Sequence, residues 1–146
     1  MKVLGFNFTK INIEKLSEIT KDLKIGTSID VPDIKEIDSD MFKTKEKFLA
    51  VKFSHTINYE PDLAKLEFSG NVLISLDYEK VEEVIDMWKD KKMPEDFRLS
   101  LFNLIMRKCS IKALELEENV NLPYHIPMPS LKVPEKEKDK KDKKSK

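Results

Sequence analysis

Residues 94–116 read PEDFRLSLFNLIMRKCSIKALEL, and this stretch decides the fold. Pro94 suits the first position of a helix, where its missing N–H is no loss, and Glu95 and Asp96 complement the positive end of the helix dipole. From Phe97 to Met106 seven of ten residues are apolar. At helical spacing Phe97, Leu99, Leu101, Phe102, Leu104, Ile105, Met106 and Cys109 cover an arc of about 220°, against the ~100° stripe of an ordinary surface helix. One sheet face cannot cover an arc that wide. The helix is therefore expected to be buried on two sides, by its own sheet and by a second subunit, with Phe97, Leu101, Phe102, Ile105, Met106 and Cys109 at the oligomer interface. Complete burial within one monomer is the alternative, but few other helices are present to cover it.

Working outward, residues 77–88 carry Val81, Val84, Ile85 and Trp88 at i, i+3, i+4, i+7, behind Asp77 as a capping residue. Met93 and Pro94 join this shorter helix to the long one. Upstream, Leu49, Val51, Phe53, His55, Ile57 and Tyr59 share one parity, and Leu66, Phe68, Val72, Ile74 and Leu76 alternate likewise beyond a turn at Glu60–Pro61–Asp62. That is an antiparallel hairpin with one buried and one wet face. Gly70 within it predicts a bulge or a close backbone approach. Residues 24–37 form a further strand that Pro32 confines to an edge or breaks. In residues 3–13 the apolar parity switches between Phe8 and Ile11, which predicts a strand with a bulge near Thr9–Lys10. KLSEITKDL (15–23) reads as a short helical turn or loop. Four strands followed by two helices define an α+β fold: a four-stranded antiparallel sheet with one short and one long helix packed on it.

The chain has 146 residues, enough for one domain that buries roughly two-thirds of its unfolded surface. Lys+Arg and Asp+Glu both number 27, yet the charge is unevenly placed. After Pro134 the sequence PEKEKDKKDKKSK carries seven lysines, four acids and no apolar residue, so residues 134–146 are expected to be a disordered tail behind a domain of residues 1–133. A solubilising role is expected for it, ahead of a docking arm. No run of apolar residues is long enough to span a bilayer, and MKVLGFNF turns polar too early for a signal peptide, so a cytoplasmic protein without membrane insertion is expected.

Reactive constellations are lacking. Cys109 is the single cysteine, which excludes an intrachain disulfide, and on the apolar arc it reads as a small hydrophobe. His55 lies on the apolar parity of its strand, as a core histidine with a satisfied hydrogen bond would; His125 stands among prolines with no second ligand at metal spacing. Three glycines cannot build a phosphate loop, and no basic patch with interleaved aromatics precedes the tail. Catalysis, cofactors, metals and specific nucleic-acid binding are accordingly not expected. What remains is a surplus of apolar side chains in loops and at helix ends: Met41, Phe42, Met87, Trp88, Met93, Leu122, Tyr124, Ile126 and Met128. Such a mix suits binding of varied apolar segments, or sealing of the core edge or of an oligomer interface.

The order of parts, with LEFSGNVLISLD in the fourth strand and the closing MPEDFRLSLFNLIMRKCS and NLPYHIPMP, resembles the SecB family of export chaperones over residues 3–131, closest to its divergent SecB-like members. The resemblance implies a dimer of dimers assembled through the long helix, and ATP-independent holding of unfolded or non-native polypeptides in apolar grooves during export. The groove would then be lined by Ile29, Val31, Trp88 and Met93, with Tyr124 and Ile126 from the C-terminal segment. Translocation machinery is an implied partner; some relatives instead protect an antitoxin. The proteobacterial C-terminal helix used for handover to the SecA motor is replaced here by Pro123, Pro127, Pro129 and the lysine tail. A different class, a hot-dog acyl-thioester enzyme, also wraps a sheet around a long helix and would require Glu95 or Asp96 at the helix start.

Overall fold

Residues 47–76 form the expected hairpin. In the computed structural model, which describes residues 1–18, 22–37, 47–131 and 133, β3 (Lys47–Glu60) pairs antiparallel with β4 (Ala64–Leu76). The turn between them closes with a Leu63 N–H to Tyr59 carbonyl bond of 2.8 Å, and Asp62 takes a positive φ of 50°. β1 (Lys2–Lys15) adds to β4 and β2 (Lys24–Ile37) adds to β3, giving the antiparallel order β1-β4-β3-β2. β1 slips register between Phe8 and Lys10, as the switch of parity predicts, and again between Val3 and Gly5. β2 is an edge strand, with its register broken between Asp30 and Asp33 around Pro32. At Gly70 the neighbouring strands come in close: a Cβ there would lie 2.1 Å from the Asn7 carbonyl and 2.8 Å from the Phe53 ring.

Two helices follow, α1 (Tyr78–Trp88) and α2 (Glu95–Asn119), packed chiefly over β2 and β3. Asp77 precedes α1 in an extended conformation but makes no side-chain capping bond. Pro94 stands one residue ahead of its expected position: α2 starts at Glu95, and the Pro94 carbonyl accepts from Arg98 N–H at 2.9 Å. Lys47, reaching Glu36 at 2.8 Å and Glu82 at 2.9 Å, ties the start of β3 to the end of β2 and to α1. Of the two forms expected for residues 15–23, a short helical turn or a loop, the start takes the loop. Lys15 ends β1, and the N–H groups of Leu16 and Ser17 donate to Leu63 at 2.8 and 3.2 Å; residues 19–21 lie outside the described residues.

The core lies between the sheet and the helices. From β3 and β4 come Leu49, Val51, Phe53, Ile57, Tyr59, Leu66, Phe68, Val72 and Ile74; from the helices, Val81, Val84, Phe97, Leu101, Ile105, Cys109 and Ala113. The buried residues of α2 recur at every fourth position, so they form one row against the chain's own sheet. Leu99 (51 % exposed), Met106 and Ile111 (64 % exposed) lie outside that row. The sheet of one chain therefore leaves part of the apolar arc uncovered. Met41, Phe42 and the lysine-rich tail fall outside the described residues.

Candidate functional site

The break in β2 positions the site. Val31, on the same parity as the half-buried Ile29, is buried, and the register slip around Pro32 then brings Ile34 inward. Facing them, α1 ends at Trp88, and a tight turn follows in which Lys91 N–H bonds the Trp88 carbonyl at 2.8 Å, with Lys91 at φ 57°. The turn delivers Met93 beside Trp88, and Phe102 comes from the second turn of α2. Ile29, Asp30, Val31, Pro32, Trp88, Lys91, Met93 and Phe102 together line an open groove of about 360 Å³. The Lys91 ammonium lies 4.6 Å from the centre of the Trp88 ring, and Arg98 stacks over Phe102 at 5.7 Å. Both are cation–π arrangements that hold the aromatic faces in place.

Four of the six groove residues expected from the sequence, Ile29, Val31, Trp88 and Met93, thus meet in one place. Tyr124 and Ile126 do not join them. Tyr124 donates its hydroxyl to Glu118, and that bond, together with burial, raises its pKa. Ile126 lines a second depression of about 430 Å³ with Asn103, Met106, Arg107, Ser110, Ile111 and Leu114 of α2. The six interface residues also divide. Phe97, Leu101, Ile105 and Cys109 are 0–3 % exposed beneath the chain's own sheet and present no surface to a second copy. Of the six, only Phe102 and Met106 reach the surface, beside the exposed Leu99 and Ile111. An apolar count fixes the width of an arc, not which part of it the chain's own sheet occupies.

A polar network not expected from the sequence lies behind this surface. Glu117 continues the buried row of α2, four residues after Ala113, and is fully buried. After α2 the chain reverses at Asn121, which has a φ of 56°, and returns along the helix. Glu117 then accepts the His125 backbone N–H at 3.1 Å and pairs with His125 Nδ1 at 2.7 Å. His125 Nε2 faces the Ser110 hydroxyl at 3.2 Å, and Tyr59 donates its hydroxyl to the Pro123 carbonyl. Burial and the adjacent Glu117 carboxylate push the Tyr59 phenol up. His55, stacked on Phe68 with centroids 6.3 Å apart, is buried with neither ring nitrogen hydrogen-bonded, contrary to the satisfied core histidine expected. Burial lowers its pKa, the charge of His125 acts in the same sense, and only the Ser28 backbone works the other way.

Serine, histidine and glutamate in this order resemble a nucleophilic relay, but an acyl-transfer site also needs free donors for an oxyanion. The N–H groups around Ser110, mid-way along α2, are used within the helix. The network instead fastens the segment Leu122–Ile126 to α2. Burial pushes the Cys109 thiol up to about 12. Glu95 and Asp96, the carboxylates of the enzyme reading, are exposed and engaged by Arg98 at 3.2 Å and by Lys80 at 2.9 Å. Among the described residues no group of three or more His, Cys, Asp or Glu side chains is placed to hold a metal ion, and no helix is long and apolar enough to cross a membrane.

No family model and no curated protein matches this chain. Among solved structures, it is similar to the Mycobacterium tuberculosis SecB-like chaperone Rv1957, determined in complex with a ChAD peptide from the Rv1956 HigA1 antitoxin. The TM-score is 0.51, 91 % of each chain is covered, and the sequences are 14 % identical. The four-stranded sheet with a short and a long helix is the SecB-like fold.

Proposed function

We propose that this protein is an ATP-independent, SecB-like chaperone of the cytoplasm, which holds non-native polypeptides in the apolar groove between β2 and the α1–α2 junction. The observation that carries the reading is that groove: Ile29, Trp88, Met93 and Phe102 are only partly buried and open to solvent beside the edge strand β2. A soluble domain gains nothing in its own stability from leaving such side chains uncovered, and burying them under a client is favourable by about 25 cal/mol per Å². The mycobacterial protein of the same fold, solved with an antitoxin peptide, supports a polypeptide client. Delivery of clients for export and association into a dimer of dimers through the outward line of α2 are part of the same proposal. No catalytic step is needed.

The test is aggregation of a chemically unfolded substrate, followed by light scattering without nucleotide. The expected result is suppression at stoichiometric ratio, weakened about tenfold or more in concentration dependence by Trp88→Ala with Met93→Ala, because two apolar side chains leave the contact. Unchanged aggregation in the presence of the intact protein would overturn the reading.

A further inference from the structure

The chain that leaves α2 is steered back toward the groove at Trp88. After the reversal at Asn121 the Leu122 N–H bonds the Glu117 carbonyl at 2.9 Å, and His125 Nε2 faces the Ser110 hydroxyl at 3.2 Å. The returning chain thus runs toward the start of α2, where Phe102 enters the groove. Its anchor is firm. His125 pairs with the fully buried Glu117 at 2.7 Å, and detaching it would strand a carboxylate out of water. Beyond the anchor, Pro127 and Pro129 keep the segment from closing into a helix. Leu131 and Val133 follow, 106 % and 72 % exposed, the two most exposed large apolar side chains among the described residues.

Resting on the chaperone reading above, we propose that the chain beyond Pro127 is a strap poised to close over the Trp88 groove, seating Leu131 and Val133 there and competing with client in cis. The reach is sufficient. Phe102 precedes Ser110 by eight residues, a rise of about 12 Å along α2. Leu131 follows His125 by six residues, and a proline-bearing extended chain advances ~3.1 Å per residue, which gives about 18 Å. The surplus serves the step from the helix flank into the groove. A tether this short holds its end near the groove at an effective concentration in the millimolar range. Two apolar side chains make a weak contact, so a longer unfolded chain that buries more apolar area displaces them. Short or weakly apolar segments are turned away. The strap thereby shields the groove between clients and sets a threshold for entering it.

Trp88 is the single tryptophan and lines the groove, so its emission reports occupancy. The experiment compares the full chain with its Leu131→Ser, Val133→Ser variant, both positions being exposed and outside the core. The parent is expected to emit further to the blue than the variant, by the same margin at every protein concentration. Both are then titrated with a permanently unfolded, tryptophan-free polypeptide without nucleotide. The variant is expected to bind it about fivefold tighter, because no competitor has to leave. Identical emission, or identical affinity, overturns the proposal. So does a difference in emission that grows with protein concentration, since the segment would then belong to a second copy. Weaker uptake by the variant overturns it too, since the segment would then be holding client. In each of these cases uptake of unfolded chain by the parent leaves the chaperone reading standing. If neither form takes up unfolded chain, the chaperone reading falls and the proposal falls with it.

Discussion

His125 Nδ1 lies 2.7 Å from Glu117 Oε2, and the two side chains are 3 % and 0 % exposed. A carboxylate this deeply placed must find donors, and it takes two from one residue, the ring and the backbone N–H of His125. The pair closes the C-terminal segment onto α2 and so sets the position of Ile126.

Removing one partner is therefore costly. His125→Ala leaves the Glu117 carboxylate buried without its ring donor, and a loss of about 3–5 kcal/mol is expected from urea unfolding. Glu117→Met with His125→Leu removes both polar groups, and most of that stability returns. Equal losses in the single and double variants would show that packing of the segment, not the pair, is what matters.

His55 gives a pH dependence of defined sign. Its folded-state pKa is held below the ordinary value of 6.5 by burial. The unfolded chain thus binds the proton more readily, so the contribution is complete above about pH 6.5 and is lost as the pH falls toward the folded value. His55→Phe keeps a ring against Phe68 and removes two unpaired buried nitrogens. Urea midpoints for this variant are expected to fall less between pH 7.5 and 5.5 than those of the parent, and to be no lower at pH 7.5. A slope identical to the parent's would show that His55 does not set the pH dependence.

At Gly70 a methyl group has no room, because the nearest atom is a backbone oxygen of β1 rather than the tip of a movable side chain. Gly70→Ala is expected to cost roughly 1–3 kcal/mol, read as a lowered thermal midpoint. A midpoint equal to the parent's would mean that β1 yields freely at Asn7.

Self-association is tested on the outward line of α2. The protein is expected to sediment well above its 17.1 kDa chain mass. Leu99→Asp with Ile111→Asp, both more than half exposed in the single chain, is expected to return it to that mass. A parent that already sediments as a single chain contradicts assembly through this face.

The sheet was legible because its signals are local. The strict alternation of residues 49–59, the parity switch after Phe8 and the proline at 32 each act on the strand that contains them, and each appears at its place in β3, β1 and β2. The long helix was legible from its composition, but the direction of its own sheet was not; that follows from the four-residue row Phe97–Leu101–Ile105–Cys109–Ala113. The same row carries on to Glu117, and a charged residue in register with a buried stripe is the signal that could have exposed the network. Its partner His125 could not be found by spacing, because the pairing depends on the reversal at Asn121. The meeting of Ile29 and Val31 with Trp88 and Met93 joins an edge strand to a helix junction more than fifty residues away. Periodicity says nothing about such a pairing, and only the family resemblance had placed these residues together.

A chaperone of this kind must take up unfolded chain in its Trp88 groove. The direct measurement is the emission of Trp88 during titration with a permanently unfolded, tryptophan-free polypeptide in the absence of nucleotide. A saturable blue shift that the Met93→Ala variant weakens is the predicted result. An emission spectrum that stays unchanged up to a large excess of unfolded chain would contradict it.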